Sequence, residues 1–448
     1  MKSTNPFWIW FAACLVLAVV GLFFGEGLIA GLTLGVPLVL VSLWAMRHFE
    51  HAVEMDLASI FLVAVVLRWV AAAAIHIGVY PKLPWVFSPD ESGYDITSHY
   101  IAEELHGRVP VLDTGYLIGR SGAVWVGVAC HYVFGYSPLA PKLVNGVVGG
   151  WNAVITALVA VRFTSPKVAR RAGWLSALLP SLALWASLYT KDNFTLLGTE
   201  ISILAFLHLR ERFRLEMLAL YVGGLAFVAS NRAYEVAFLA LGTGAGYAFT
   251  TMRHLFRKLV VFALLMGVLV VVVQQSGALE IGADNDQSTL QRINLLRGSY
   301  SDAGSAIEVA SSVDTSTPLG MAAWLPIGFF YFFFAPVPFT GRSLISSAAT
   351  PEMLIWYSMV PSLLRGLRDI VRTRLRLAAP ALLYVLAAAG GWAAVVTNVG
   401  SLFRYRGQVA FVLLILIAYD QVRRREAAAA AAPSVRFASP PPRDRVSA

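Results

Sequence analysis

Asp90 and Glu91 stand side by side in the stretch Ser88-Pro89-Asp90-Glu91-Ser92-Gly93-Tyr94-Asp95, immediately beyond a long apolar run. A carboxylate set there could accept a proton from a hydroxyl, the work of a general base. The same letters also spell a helix start: Ser88 is followed three residues later by Glu91 with Pro89 at the first helical position, a capping box, and acids favour helix N-termini. Capping accounts for Glu91. It does not account for Asp90 and Tyr94, which share one face of the amphipathic helix that the pattern predicts as far as about His106. Asp90 and Glu91 are therefore both candidate catalytic acids, with Asp90 the preferred base, and Tyr94 is a candidate substrate contact.

Charged residues recur at the edges of other apolar runs. Tyr189-Thr190-Lys191-Asp192-Asn193 sets a cation beside an anion, with Glu200 two turns further on, and Asn231-Arg232-Ala233-Tyr234-Glu235 makes a tight polar corner. Ionisable groups at membrane depth are costly and are functional by default, although Lys191 can snorkel and Asp192 can cap the next helix. Arg68, inside an apolar run, needs a carboxylate, carbonyl or water partner. Asn398-Val399-Gly400-Ser401-Leu402-Phe403-Arg404-Tyr405-Arg406 carries two arginines whose planar forks suit phosphate oxygens, either of a specific ligand or of phospholipid headgroups in general. Lys191, Asp192, Arg232, Glu235, Arg404 and Arg406 join Tyr94 as candidate substrate-binding residues.

The elements that must position these groups are helices in lipid. Of 448 residues 58% are hydrophobic and 14% charged, which excludes an ordinary soluble domain. Spanning helices need about 20 apolar residues. Such runs predict an all-α polytopic membrane protein with about twelve spans, near 7–24, 28–46, 58–80, 138–161, 173–190, 194–209, 216–230, 235–250, 259–274, 352–368, 378–397 and 408–420. The net charge of +9 sits in short clusters between the runs, the signature of topology rather than of nucleic-acid binding. Placing the clusters at Arg47/His48, 167–171, 210–214, 253–258, 365–376 and 423–425 in the cytoplasm puts both termini there. Segments 121–136 and 321–338 then become juxtamembrane or re-entrant, and the candidate residues fall on the outer face. Cys14 and Cys130 lie in apolar runs without metal-ligand spacing and read as packing residues.

This organisation divides into an N-terminal helix pair (1–57), a membrane domain (58–420) with outer loops 81–137 and 275–351, and a disordered cytoplasmic tail (421–448) that carries an alanine run and then Pro440-Pro441-Pro442.

Over most of residues 58–420 the chain resembles the GT-C superfamily of integral membrane glycosyltransferases, which use polyprenyl-phosphate-linked sugars. The resemblance rests on Asp90-Glu91-x-x-Tyr94, Gly135-Tyr136-Ser137-Pro138-Leu139 leading to Asn145, Leu179-Pro180-Ser181, Trp185-Ala186-Ser187, Lys191-Asp192, and Asn398-Val399-Gly400 with Phe403-Arg404-Tyr405-Arg406. It implies a GT-C-like fold, Asp90 as the base, a polyprenyl-phosphate-sugar donor, and a cell-envelope glycan, lipid or protein acceptor, in a bacterial inner membrane. Two spans precede the acidic loop where one is usual, and no large C-terminal soluble domain follows. Some members use a divalent cation (Mg or Mn), whereas this sequence offers no oxygen-ligand cage.

The chemistry is coherent on its own terms. A sugar on a lipid phosphate already has a good leaving group, so one base and a cationic clamp suffice, and attack inverts the anomeric centre. Two alternatives stand beside it. An oligosaccharide polymerase or ligase of the O-antigen type would use arginines of the long outer segment, Arg292, Arg297 and Arg342, and would not need Asp90. A lipid or sugar transporter would be expected to show paired halves with ionisable groups near the midplane, and no convincing repeat is visible.

Overall fold

The computed structural model describes residues 6–24, 27–53, 55–110, 121–248, 289–301, 306–337 and 344–431. The expected span 259–274, the basic residues 253–258, Arg342, and residues 432–448 of the tail lie outside the described residues.

The described chain is built of helices: α1 (Pro6–Phe24), α2 (Leu28–Val53), α3 (Leu57–Ala73, continued by a π-helical turn Ala74–Val79), α4 (Pro89–Leu105), α5 (Ser121–Phe134), α6 (Ala140–Val161), α7 (Pro166–Leu178), α8 (Pro180–Ser187), α9 (Lys191–Glu211), α10 (Leu215–Ala248), α11 (Thr289–Ser301), α12 (Pro318–Phe334), α13 (Leu344–Val395) and α14 (Val399–Ala431). Five of the described helical stretches, in α2, α3, α6, α13 and α14, are long and apolar enough to cross a membrane. No strand occurs among the described residues beyond an isolated antiparallel bridge between Ala306 and Asn398. The chain is therefore an all-α protein with membrane-spanning character.

α14 forms the core. Residues Val409 to Ala418 are buried on every side, as expected for a helix that is apolar all round and packed inside other helices. Close approach needs small residues: a side chain on Gly366 would reach to 2.0 Å from the Leu416 carbonyl oxygen, so α13 meets α14 there only because glycine leaves room.

Several expectations are corrected in detail. The run 173–190 is not one helix. It breaks at Leu179, which is extended (φ −65°, ψ 120°), because Pro180 disfavours helical geometry in the residue before it. The pair 216–230 and 235–250 meets at Arg232, whose backbone is non-helical (φ −151°, ψ 86°), and the pair 352–368 and 378–397 is joined through a break at Arg374 (φ −138°, ψ 16°). At the tail, α14 runs on to Ala431, since alanine is the strongest helix former. α5, with 14 residues, and α12, with 17, reach only about 21 and 26 Å, short of the hydrocarbon core.

Basic clusters meet at one end of the bundle. Arg162 pairs with Glu211, Arg374 donates to the Phe163 carbonyl at 3.1 Å, Lys167 to Glu426 at 2.8 Å, and Arg365 lies 3.0 Å from Asp420. Arg404 sits 19 residues before Arg423 on α14, about 28 Å along the axis, so the candidate residues occupy the other end.

Candidate functional site

Four helix ends converge around Arg404. Asp90 lies in the first turn of α4, Asp192 in the first turn of α9, Glu235 just beyond the break in α10, and Arg404 in the second turn of α14. Acids at helix N-termini are favoured by the backbone dipole, which lets three carboxylates gather here.

The charges alternate. Arg404 donates from Nη1 to Asp90 at 2.8 Å and from Nε to Asp192, while Arg232 donates from Nη2 to the other Asp192 oxygen and from Nη1 to Glu235 at 3.4 Å. Asp192 thus has a guanidinium on each oxygen. Burial alone would raise its carboxyl, but Arg232 and then Arg404 more than offset that, and it is held down at about 2. Lys191 is half-buried in the same turn, and its charge acts on Asp192 in the same direction. Gln408 donates to the Asp192 backbone carbonyl at 2.8 Å, tying α14 to the start of α9.

Burial separates the members. The Asp192 side chain is 4% exposed and that of Arg232 1%, whereas the Asp90 side chain is 56% exposed. Asp90 is therefore the carboxylate of the network that a second molecule can reach. Aromatic rings line the guanidinia: Arg404 lies 5.6 Å from the Trp185 ring centre, and Arg232 lies 4.4 Å from that of Tyr405, which stacks on Trp392. Tyr94 is buried against Tyr189, and burial pushes its phenol up, with Arg404, Asp90, Asp192 and Arg232 acting on it through space.

Glu91 has a different place. No capping box forms: Ser88 makes no side-chain cap, and the Glu91 carboxylate is fully buried. One oxygen accepts from the Tyr189 backbone N–H at 3.0 Å and lies 3.0 Å from Lys142 Nζ, and the other accepts from the Tyr80 hydroxyl. The helix start was read correctly, but the side chain is drawn inward because Lys142 needs a counter-charge. Glu91 thereby fixes α4 against α6 and the start of α9.

Arg406 also points away from the network. Its Nη1 donates to the carbonyls of Phe333 and Ala335 at 3.0 and 3.1 Å, closing the C-terminus of α12, and its Nη2 lies 3.1 Å from Met353 Sδ. Arg68 resolves its burial on backbone carbonyls, those of Ala64 at 2.9 Å and Ala177 at 3.0 Å.

Three features escaped the sequence reading. Lys142 is an ionisable group in an apolar helix, and the rule that singled out Arg68 applies to it equally. An asparagine ladder links α6 to α9, with Asn152 donating to Asn193 at 2.6 Å and Asn193 to Asn145 at 2.8 Å, and Thr156 reaches the buried Glu200 at 2.9 Å. Polar groups are thus not confined to the bundle end. Finally, buried Asp95 lies 3.2 Å from His131 and accepts from Tyr136 at 2.8 Å, pinning α4 to α5.

Among the described residues no group of three or more His, Cys, Asp or Glu side chains is placed to hold a metal ion. The carboxylates of the network face guanidinia and do not form a cation cage. No protein-family model, curated protein or solved structure matches this chain.

Proposed function

We propose that this chain is a membrane glycosyltransferase that moves a sugar from a polyprenyl-phosphate carrier to a hydroxyl of a cell-envelope acceptor, with inversion. The observation that carries the reading is the exposed Asp90 carboxylate sharing Arg404 with the buried Asp192. An accessible base then sits beside a cation that is itself held rigidly by a second acid, the arrangement that displacement from a phosphate requires. Asp90 takes the acceptor proton, the acceptor oxygen bonds to the anomeric carbon, the bond from that carbon to the phosphate oxygen breaks, and Arg404 receives the added negative charge. Lys191 and Arg232 contribute charge from behind, and Glu235 orients Arg232.

In the membrane arrangement that goes with this reading, about twelve spans of a GT-C-like fold cross a bacterial inner membrane. Both termini and the gathered basic clusters face the cytoplasm, and the Asp90 end faces outward. The separation of the basic end from the Asp90 end supports it. The test is mass spectrometry of purified protein incubated with a polyprenyl-phosphate sugar and candidate glycan, lipid and protein acceptors. Transfer that needs Asp90 supports the reading. Transfer that persists in Asp90→Asn points instead to an O-antigen-type polymerase or ligase, though Arg297, an arginine proposed for that alternative, is buried against Trp324. Translocation of lipid or sugar in liposomes without transfer points to a transporter.

A further inference from the structure

Arg404 divides its fork between two unlike acids. Its Nε and Nη2 face Asp192, which is buried and is held from its other side by Arg232. Its Nη1 faces Asp90, whose side chain is 56% exposed. The Asp192 side of the fork is committed, because releasing it would leave one oxygen of a buried carboxylate without its cation. The Asp90 side is not, because the Asp90 carboxylate is more than half exposed and water competes for it. A phosphate, like a carboxylate, presents anionic oxygens that accept the paired N–H groups of a guanidinium, so both compete for the same donors.

We propose that Asp90 is the resting occupant of an anion seat on Arg404, and that a prenyl phosphate takes this seat by displacing it. This rests on the phosphate-donor reading above and adds an order to it. With the seat empty, the Asp90 oxygen is engaged by Nη1. With the donor phosphate seated, the carboxylate swings free beside the new ligand, next to the bond to be broken. The base is thus released by the substrate whose reaction it serves, and an acceptor hydroxyl or a stray water meets a free base only when the donor is in place. The buried Asp192 is what makes the exchange one-sided: it keeps the guanidinium still while the exposed acid leaves.

The competition has a sign that a merely supporting carboxylate would not give. Farnesyl phosphate, a short prenyl monophosphate, is titrated by calorimetry against the full chain in phosphatidylcholine nanodiscs, with farnesol as the uncharged control. Asp90→Asn, which vacates the seat, should bind farnesyl phosphate about fivefold more tightly than the native protein. Arg404→Gln should bind it roughly tenfold or more weakly. Glu103→Gln, which removes a negative charge from the same helix as Asp90 but lies outside the Arg404 network, should leave affinity unchanged. If Asp90→Asn binds no more tightly while Arg404→Gln still loses affinity, the displacement is wrong and the phosphate seat survives. Equal tightening in Glu103→Gln would reduce the effect to the general field and also overturn displacement. Arg404→Gln binding like the native protein, or no binding beyond that of farnesol by any form, would remove both the seat and the donor reading.

Discussion

Lys142 sets its ammonium 3.0 Å from Glu91, both side chains essentially sealed from solvent at 1% and 0% exposure. The pair divides two adjacent acids into different tasks, for Asp90 next to it is accessible and bonded to Arg404 at 2.8 Å. Breaking a buried pair by removing one charge leaves the other uncompensated, at about 3–5 kcal/mol. Glu91→Gln should therefore lower the melting temperature of the purified protein markedly, and Lys142→Met combined with Glu91→Gln should recover part of it. Asp90→Asn should leave the melting temperature nearly unchanged while transfer falls by about 10² to 10⁴. A stable Glu91→Gln protein would show that the pair does not hold α4.

The two arginines of the last polar segment should also part company. Arg404→Ala removes a charge-assisted bond to the donor, a loss of about 1.5–3 kcal/mol in use of the lipid phosphate, with the remainder of the network keeping the fold. Arg406 spends its fork on the Phe333 and Ala335 carbonyls, so Arg406→Ala should appear as thermal instability with donor affinity preserved in whatever protein remains folded. Measuring both properties on both variants checks the division. Equal donor defects would restore Arg406 to the clamp.

Much of this architecture is legible in the residue order because lipid imposes a simple rule: apolar runs must become helices, and charges within them need partners. Asp90, Asp192, Arg232, Glu235 and Arg404 stand out by that rule, and the structure brings all five together. What the rule does not supply is the partner. Glu91 reads locally as a capping residue because its true partner, Lys142, is 51 positions away on α6. Arg406 is separated from Arg404 by a single residue, yet the two lie on different sides of α14, about 200° apart, and so meet different neighbours. The helix break at Leu179 was signalled by Pro180, but the surrounding apolar run concealed it.

Acid should act on the network through Asp192. Its carboxyl is held at about 2 against an ordinary 3.8, so the folded state favours the ionised form. The sign follows: the stabilisation is present in full above about pH 4 and is lost as pH falls through the depressed value. Thermal stability contributed by this group should thus be flat from about pH 8 to about pH 4 and decline below, and Asp192→Asn should abolish that acid-side decline. An Asp192→Asn variant that keeps the full acid-side decline would show that another group carries it.

Orientation can be tested without any substrate. The Lys167 side chain is 74% exposed and bonded to Glu426, and Arg425 is exposed on the same end of the bundle. Arg108, with a side chain 62% exposed, and Lys82 are exposed near α4, on the side of Asp90. Single cysteines at 167 and 425, in a background with Cys14 and Cys130 replaced, should resist an impermeant thiol reagent in intact cells and react after lysis. Cysteines at 82 and 108 should react in both conditions. Because all four positions are exposed in the folded protein, protection reports the membrane rather than packing. Reaction of 167 in intact cells together with protection of 82 would invert the chain, place Asp90 in the cytoplasm, and require a donor available on that side. Reaction of all four would mean that the two ends are not separated by a bilayer at all.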